Sequence, residues 1–163
     1  MKSSSIQYEA SAPAGVSAAA RAALEPFGPR WSLHHGTVGV LVPAERWLEV
    51  FRALHGAGFD FLVDHTAVDY PERSPRFTVV GVVMSLATQE RLVVKARLAE
   101  GTSIASLTPL WAAANWAERE TYDMFGIDFA GHPELTRIYM PHDYDGWPMR
   151  KDFPLQGHLR FRD

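Results

Sequence analysis

The chain has 163 residues, 47% of them hydrophobic and 21% charged, with a formal net charge of −3. That is ordinary globular composition for one domain plus an added segment, and a pI near 6.1 argues against a nucleic-acid binder. The absence of cysteine excludes disulfides, thiolate zinc sites and thiolate-held iron–sulfur clusters within this chain.

No segment approaches the ~20 apolar residues a membrane-spanning helix needs. The N-terminal stretch lacks the apolar centre of a secretory signal. The chain is therefore expected to be soluble in its own right and cytoplasmic, with residues 1–13 a disordered Ser/Ala/Pro-rich tail.

An alanine-rich run from Val16 to Phe27 reads as a helix stopped by Gly28 and Pro29. Val38, Val40 and Val42 alternate as a strand with one buried face. Pro43 suits a first helical position, and Trp47, Val50, Phe51 and Leu54 recur at helical spacing until Gly56 and Gly58. "FDFLVDHTAVDY" reads as the next strand and "PERSP" as a loop. Phe77 to Leu86, apolar on both faces, predicts a central strand. Arg91 to Leu98 alternates, with Leu92, Val94, Ala96 and Leu98 inward and Arg91, Lys95 and Arg97 outward. The expected fold is α+β: a mainly antiparallel four-stranded sheet with helices on one face.

A third helix is expected to start at an Asn115 N-cap, with Glu118 completing a capping box, and to stop at Gly126. Consecutive Glu118, Arg119 and Glu120 fan over ~200° of helix surface, so at least one should border buried surface. Glu120 and Asp123 repel mildly unless a cation lies nearby, and Arg137, Arg150, Lys151 or a partner's arginine could supply it.

The domain would then cover residues 14–126, followed by an extended arm over 127–163. The arm carries prolines 133, 141, 148 and 154 and no lasting period, yet it is rich in aromatic residues. Ordering it costs on the order of 40–70 kcal/mol at 1–2 kcal/mol per residue, which points to a surface whose burial offsets that cost. Folding back over its own sheet is the alternative; charge placement favours a foreign protein.

These segments carry a family likeness. Glu118 to Leu155, "ERETYDMFGIDFAGHPELTRIYMPHDYDGWPMRKDFPL", resembles the signature of the 30-kDa subunit family of respiratory complex I, an NADH–quinone oxidoreductase. On the helix the matching positions are Glu118, Arg119, Glu120, Asp123, Phe125 and Gly126. Beyond it they are Phe129, His132, Pro133, Arg137, Pro141, Asp143, Gly146, Pro148, Arg150, Lys151, Asp152, Phe153 and Pro154. Trp147 and Tyr144 depart from the residues usual there, and Thr136 stands where a second arginine is common.

The resemblance covers roughly residues 45 to 156. It implies a non-catalytic structural and assembly subunit in the peripheral arm of a proton-translocating complex, at the cytoplasmic face of the membrane. The signature residues, with Trp147, would dock on the 49-kDa-type subunit beside the quinone-reducing module and on other hydrophilic-arm subunits. Arg150, Lys151 and Asp152 would fix the arm's register, with Trp147 and Phe153 as apolar anchors. FMN, iron–sulfur clusters and quinone would belong to partner subunits, leaving this chain without catalytic, cofactor or metal residues.

The equivalent subunit of a related hydrogenase-like, F420- or ferredoxin-linked membrane complex is the nearer alternative. An independent small hydrolase using Glu118, Glu120 and His132 as an acid–base set is the remote one. His132 before Pro133 reads more simply as a hydrogen-bonded turn residue, and the Asp143 and Asp145 stretch as a turn before Gly146.

Overall fold

The computed structural model describes residues 6–154. Its helices are α1 (Ala18–Leu24), α2 (Trp47–Gly56) and α3 (Ala114–Phe125). Five strands form the main sheet: β1 (Arg30–His34), β2 (Thr37–Val42), β3 (Phe61–Asp69), β4 (Phe77–Met84) and β5 (Arg91–Leu98). Two short strands, β6 (Ser103–Ala105) and β7 (Asp128–Ala130), pair in parallel as a second sheet.

The α+β class holds, but the four-stranded, mainly antiparallel expectation needs correction. The order is β1-β2-β5-β4-β3, and the β2–β5 pair is parallel. The additional strand is β1, joined to β2 across a two-residue turn, since His34 pairs with Thr37. His35 and Gly36 in that turn both have positive φ, at 47° and 77°, as the twist of a tight hairpin demands. Histidine at the first position hides this turn from a search for Asn-Gly or Asp-Gly. The predicted central strand β4 lies between β5 and edge strand β3, one place off centre.

Alternation on β5 sets the inner face, where Leu92, Val94 and Ala96 are fully buried. From β4, Phe77, Val79 and Val83 share that face. Helix α2 lays Trp47, Val50, Phe51 and Leu54 on it, the four positions its spacing predicts. Pro43 precedes a 3-10 turn, Ala44–Arg46, that leads into α2 rather than occupying its first position. Ser17 caps α1 by accepting the amide of Ala20, and α1 gives way to a 3-10 turn at Glu25. Within the stretch expected to be a disordered tail, Glu9 exchanges two backbone hydrogen bonds with Trp31, at 2.6 and 2.7 Å; residues 1–5 lie outside the described residues.

The capping box is also corrected. Asn115 is inside α3, the N-cap position is Ala113, and no side chain caps that end. The Glu118 carboxylate instead points into the core, where it meets the turn before α3.

The Phe51 ring sits directly over Gly81, where a Cβ would overlap it. The ring is held by edge-on contacts with Trp47 and Trp111 and has little room to yield. Gly81→Ala is expected to destabilise the chain by roughly 1–3 kcal/mol through overpacking, read as a lower denaturant midpoint at unchanged m-value.

Candidate functional site

Helix α3 ends at Gly126, whose φ of 71° turns the chain back on itself. The following residues return along the helix, and Asp123 fixes them. One carboxylate oxygen accepts the amides of Ile138, Tyr139 and Met140 at 3.0, 2.7 and 2.9 Å. The other meets Arg137 Nη1 at 2.6 Å. Burial pushes this carboxyl up, but the three amides and the guanidinium outweigh it and hold the group below its usual range. Arg137 is the cation beside Asp123, and it comes from within the chain.

Arg137 also donates through Nη2 to the carbonyls of Tyr144 and Gly146, at 3.1 and 3.0 Å. Its guanidinium lies 4.4 Å from the Trp147 ring centroid. That indole covers Gly126 so closely that a Cβ there would fall 2.5 Å from ring carbon Cε2. Tyr122 meets the same indole edge-on. Phe153 likewise covers Gly146, whose φ is 132°.

A second latch lies nearer the sheet. Asp69, at the end of β3, takes the Arg76 guanidinium through both oxygens at 2.7 and 2.9 Å and also accepts the Lys151 amide at 2.8 Å. Arg76 further contacts Glu100 and Asp152. Arg150 donates to the Phe125 carbonyl at 2.7 Å and pairs with Glu100 at 2.5 Å. Bonding to Arg76 holds the Asp69 and Asp152 carboxyls below their ordinary range.

The expectation of an extended arm held by foreign protein finds no support over 127–154, where the bonds described come from α3, β3 and the loop at Glu100. Arg150 and Asp152 bond Glu100 and Arg76 within the chain, Lys151 bonds Asp69 through its main-chain amide, and Trp147 and Phe153 lie over Gly126 and Gly146.

The signature residues divide by depth. Glu118, Asp123, Phe125 and Phe129 are buried in this chain's own core, so none is available to a partner. Arg119, Gly126, His132, Arg137, Gly146, Trp147, Pro148, Arg150 and Phe153 are half-buried. Glu120, Pro133, Pro141, Asp143, Lys151, Asp152 and Pro154 are exposed. Arg119 bonds the carbonyl and hydroxyl of Thr136 and stacks on Trp116. His132 is a turn residue: Nδ1 accepts the Glu134 amide, which leaves Nε2 to donate to the Asn115 carbonyl.

Glu118 accepts the Ser106 hydroxyl and the Leu107 amide, each at 2.6 Å. Fully buried His65 on β3 places Nδ1 3.9 Å away, and neither ring nitrogen has a hydrogen-bond partner among the described residues. Trp47 and Phe129 pack on the imidazole. Burial raises Glu118 to about 7 and lowers His65 to about 3. Glu118, Glu120 and His132 share no cavity: none of the three lines the four principal hollows of the described residues. No group of three potential metal ligands occurs among the described residues.

Sequence reasoning missed Asp69, Arg76, Glu100, Ser106 and His65. Two of them were signalled, because His65 and Asp69 fall in the inward parity of β3 and buried charge demands a partner.

Residues 40–159 match the family model described as "Respiratory-chain NADH dehydrogenase, 30 Kd subunit". The chain belongs to that family. It is 52% identical over 126 residues to the C subunit of the NADH-quinone oxidoreductase of Citrifermentans bemidjiense, covering 76% of this chain and 78% of that one. It is 43% identical over 135 residues to the corresponding C subunit of Hyphomonas neptunium, covering 81% and 67%. A solved trypsin-resistant fragment of Nqo5 superposes with a TM-score of 0.64 at 35% identity, over 71% of this chain and 93% of that one. A chain of an archaeal membrane-bound sulfane sulfur reductase shares the fold at TM-score 0.71 and 22% identity, over 83% of each. Membership makes the chain a subunit of a hetero-oligomeric, membrane-bound oxidoreductase complex.

Two outcomes test this geometry. Arg137→Met leaves buried Asp123 without its cation and two carbonyls without donors, so a loss of roughly 3–5 kcal/mol is expected by denaturant unfolding. The second concerns the Glu118–His65 pair. A carboxyl raised from 4.5 to about 7 contributes fully below its unfolded value, and that contribution is lost as pH rises through 7. A histidine lowered from 6.5 to about 3 contributes fully above 6.5, with loss as pH falls towards 3. From about 4.5 to 6.5 the folded pair holds one proton on Glu118 and the unfolded pair one on His65, so the two slopes cancel. Glu118→Gln removes only one slope. Its stability relative to the parent should fall on acidification through that window, by roughly 1.4 kcal/mol per pH unit; parallel curves would refute the assignment.

Proposed function

We propose that the chain is a non-catalytic structural and assembly subunit of the peripheral arm of a proton-translocating NADH:quinone oxidoreductase. It docks on the 49-kDa-type subunit near the quinone-reducing module, at the cytoplasmic face of the membrane. FMN, iron–sulfur clusters and quinone are held by partner subunits and none by this chain. The relatives at 43% and 52% identity support this complex over a hydrogenase-like or F420- or ferredoxin-linked one.

One observation carries the docking surface. Three large apolar side chains stay exposed on α3 and the segment strapped to it: Trp116 at 64%, Tyr139 at 66% and Met149 at 52%. Their main chains are fixed, because the Tyr139 amide bonds Asp123 and the Met149 amide bonds the Met124 carbonyl at 3.1 Å. Rigid tryptophan, tyrosine and methionine are the residue types enriched in the centres of protein interfaces. Pre-ordering by Asp123 removes much of the ordering cost that binding would otherwise carry. The helix lengths fit a peripheral placement, since no helix of the described residues is long and apolar enough to cross a membrane.

Truncation after Gly126 is a poor test, because it removes Ile127 and Phe129 from the core. Surface changes discriminate better. The double substitution Trp116→Ser and Tyr139→Ser should leave the unfolding of the isolated chain within about 0.5 kcal/mol of the parent. Its incorporation into the complex, read by native gel and co-purification, should fall at least tenfold. Full incorporation at wild-type level would rule out this docking face.

A further inference from the structure

The main sheet covers one face with helices and leaves the other open. On that open face β5 displays Lys95 and Arg97, with Thr78 and Val80 of β4 beside them in register. The N-terminal segment runs over this face and roofs a cavity of about 300 Å³. Its polar lining is Tyr8, Tyr70, Arg73, Thr78, Lys95 and Arg97, over an apolar floor, and no carboxylate lines it. A second hollow beyond Ile6 continues past Lys95 to His34 and His35, again without a carboxylate.

Of the cations lining this hollow, Lys95 is half-buried and Arg73 and Arg97 are exposed, and none is held as the half-buried arginines elsewhere in the chain are. Arg76, Arg137 and Arg150 each meet a carboxylate. Among the described residues, Arg73, Lys95 and Arg97 form no ion pair, and Lys95 and Arg97 no side-chain hydrogen bond. The Lys95 ammonium lies beside Gly39 of β2, 3.8 Å from where a Cβ would stand. Burial holds Lys95 below the usual lysine range, the signature of a charge taken from water without compensation. Three cationic side chains thus line one small hollow that offers them no counter-charge.

We propose that this cavity binds a small phosphate-class anion, a phosphomonoester or pyrophosphate, between Arg73, Lys95 and Arg97 under the Tyr8 ring. Thr78 and the two phenols add neutral donors, enough for the several oxygens of a phosphate and more than one carboxylate can use. The volume lies at the lower end of small-molecule sites and leaves no room for a dinucleotide. Tyr8 serves as a lid: its burial raises the phenol above its ordinary range, and its ring already faces Arg30. Of the polar lining only Tyr8 lies outside the matched family region, which begins at residue 40. It is separate from the α3 face proposed for docking and does not depend on it.

The test uses the full chain with sodium pyrophosphate as probe, titrated calorimetrically at fixed ionic strength held with chloride. Saturable one-to-one binding is expected, with Lys95→Gln plus Arg97→Gln weakening it at least tenfold and Tyr8→Ala weakening it less. Neither side chain makes an ion pair or hydrogen bond among the described residues, so the double variant's unfolding midpoint without anion should not fall. In the unsubstituted chain, the Lys95 side-chain nitrogen followed by NMR should titrate at higher pH once pyrophosphate is added. Orthophosphate should bind at the same residues more weakly. Absence of saturable binding, binding that survives the double substitution, or an unmoved Lys95 titration would each overturn the proposal. So would saturable binding of a glutamate-rich peptide with none of pyrophosphate, which would give the face to a protein partner.

Discussion

Burying a carboxylate costs several kcal/mol unless every lone pair finds a donor, so Asp123 can sit fully buried only because the chain after α3 returns to it. Arg137 and the amides of residues 138–140 are not decoration on a finished domain; they are the condition under which α3 can point that side chain inward. The dependence runs both ways. Three consecutive amides accepted by one oxygen bend residues 138–140 into an arc, and Arg137 reaches from that arc to the carbonyls of Tyr144 and Gly146. Deleting either side strands the other.

The same logic organises the interface between α3 and β3. Elsewhere the core is apolar, with Trp47, Phe51, Leu54 and Leu92 filling the space between α2 and the sheet. Between α3 and β3 the buried residues include His65, Asp69, Glu118, Thr121 and Asp123. A polar seam gains little stability over a well-packed apolar one, but it tolerates few alternative registers, since each misplacement leaves a charge unpaired. Asp69 and Asp123 hold the returning segment, and Glu118 holds the Ser106–Leu107 turn that precedes α3.

Sequence pattern made the apolar half legible. Strict alternation found β5, and helical spacing found α2 with its four buried side chains, because transfer of apolar surface imposes a period on the chain. The strand β1 escaped because it is short and its turn uses histidine in a left-handed conformation, which carries no residue signal. The parallel β2–β5 pairing escaped for a different reason: it joins strands separated by α2, β3 and β4, and nothing local encodes which edges meet. The polar seam was half legible. Reading Glu118, Arg119 and Glu120 as too wide for a solvent face required one buried charge, and Glu118 is it. The capping box that the same Glu118 completes by spacing failed because a buried hydroxyl and amide competed better for its carboxylate than a helix end open to water.

The C-terminal segment shows where composition misleads. Aromatic richness and the ordering entropy do require a surface that offsets the cost, but composition cannot say whose surface it is. Prolines 133, 141 and 148 stiffen the segment before folding and lower the entropy lost on ordering, and charged latches at Asp69 and Asp123 together with Trp147 on Gly126 do the rest within one chain. What is left over is informative because the latches at Asp69 and Asp123 are already engaged within the chain. The Nη1 and Nη2 groups of Arg137 are engaged and Trp147 is half-covered, whereas Trp116, Tyr139 and Met149 stay exposed although their backbones are fixed. A segment ordered for its own stability would turn such residues inward or replace them with polar ones. Their exposure on a rigid frame is what a second protein needs to bind without first having to fold its target.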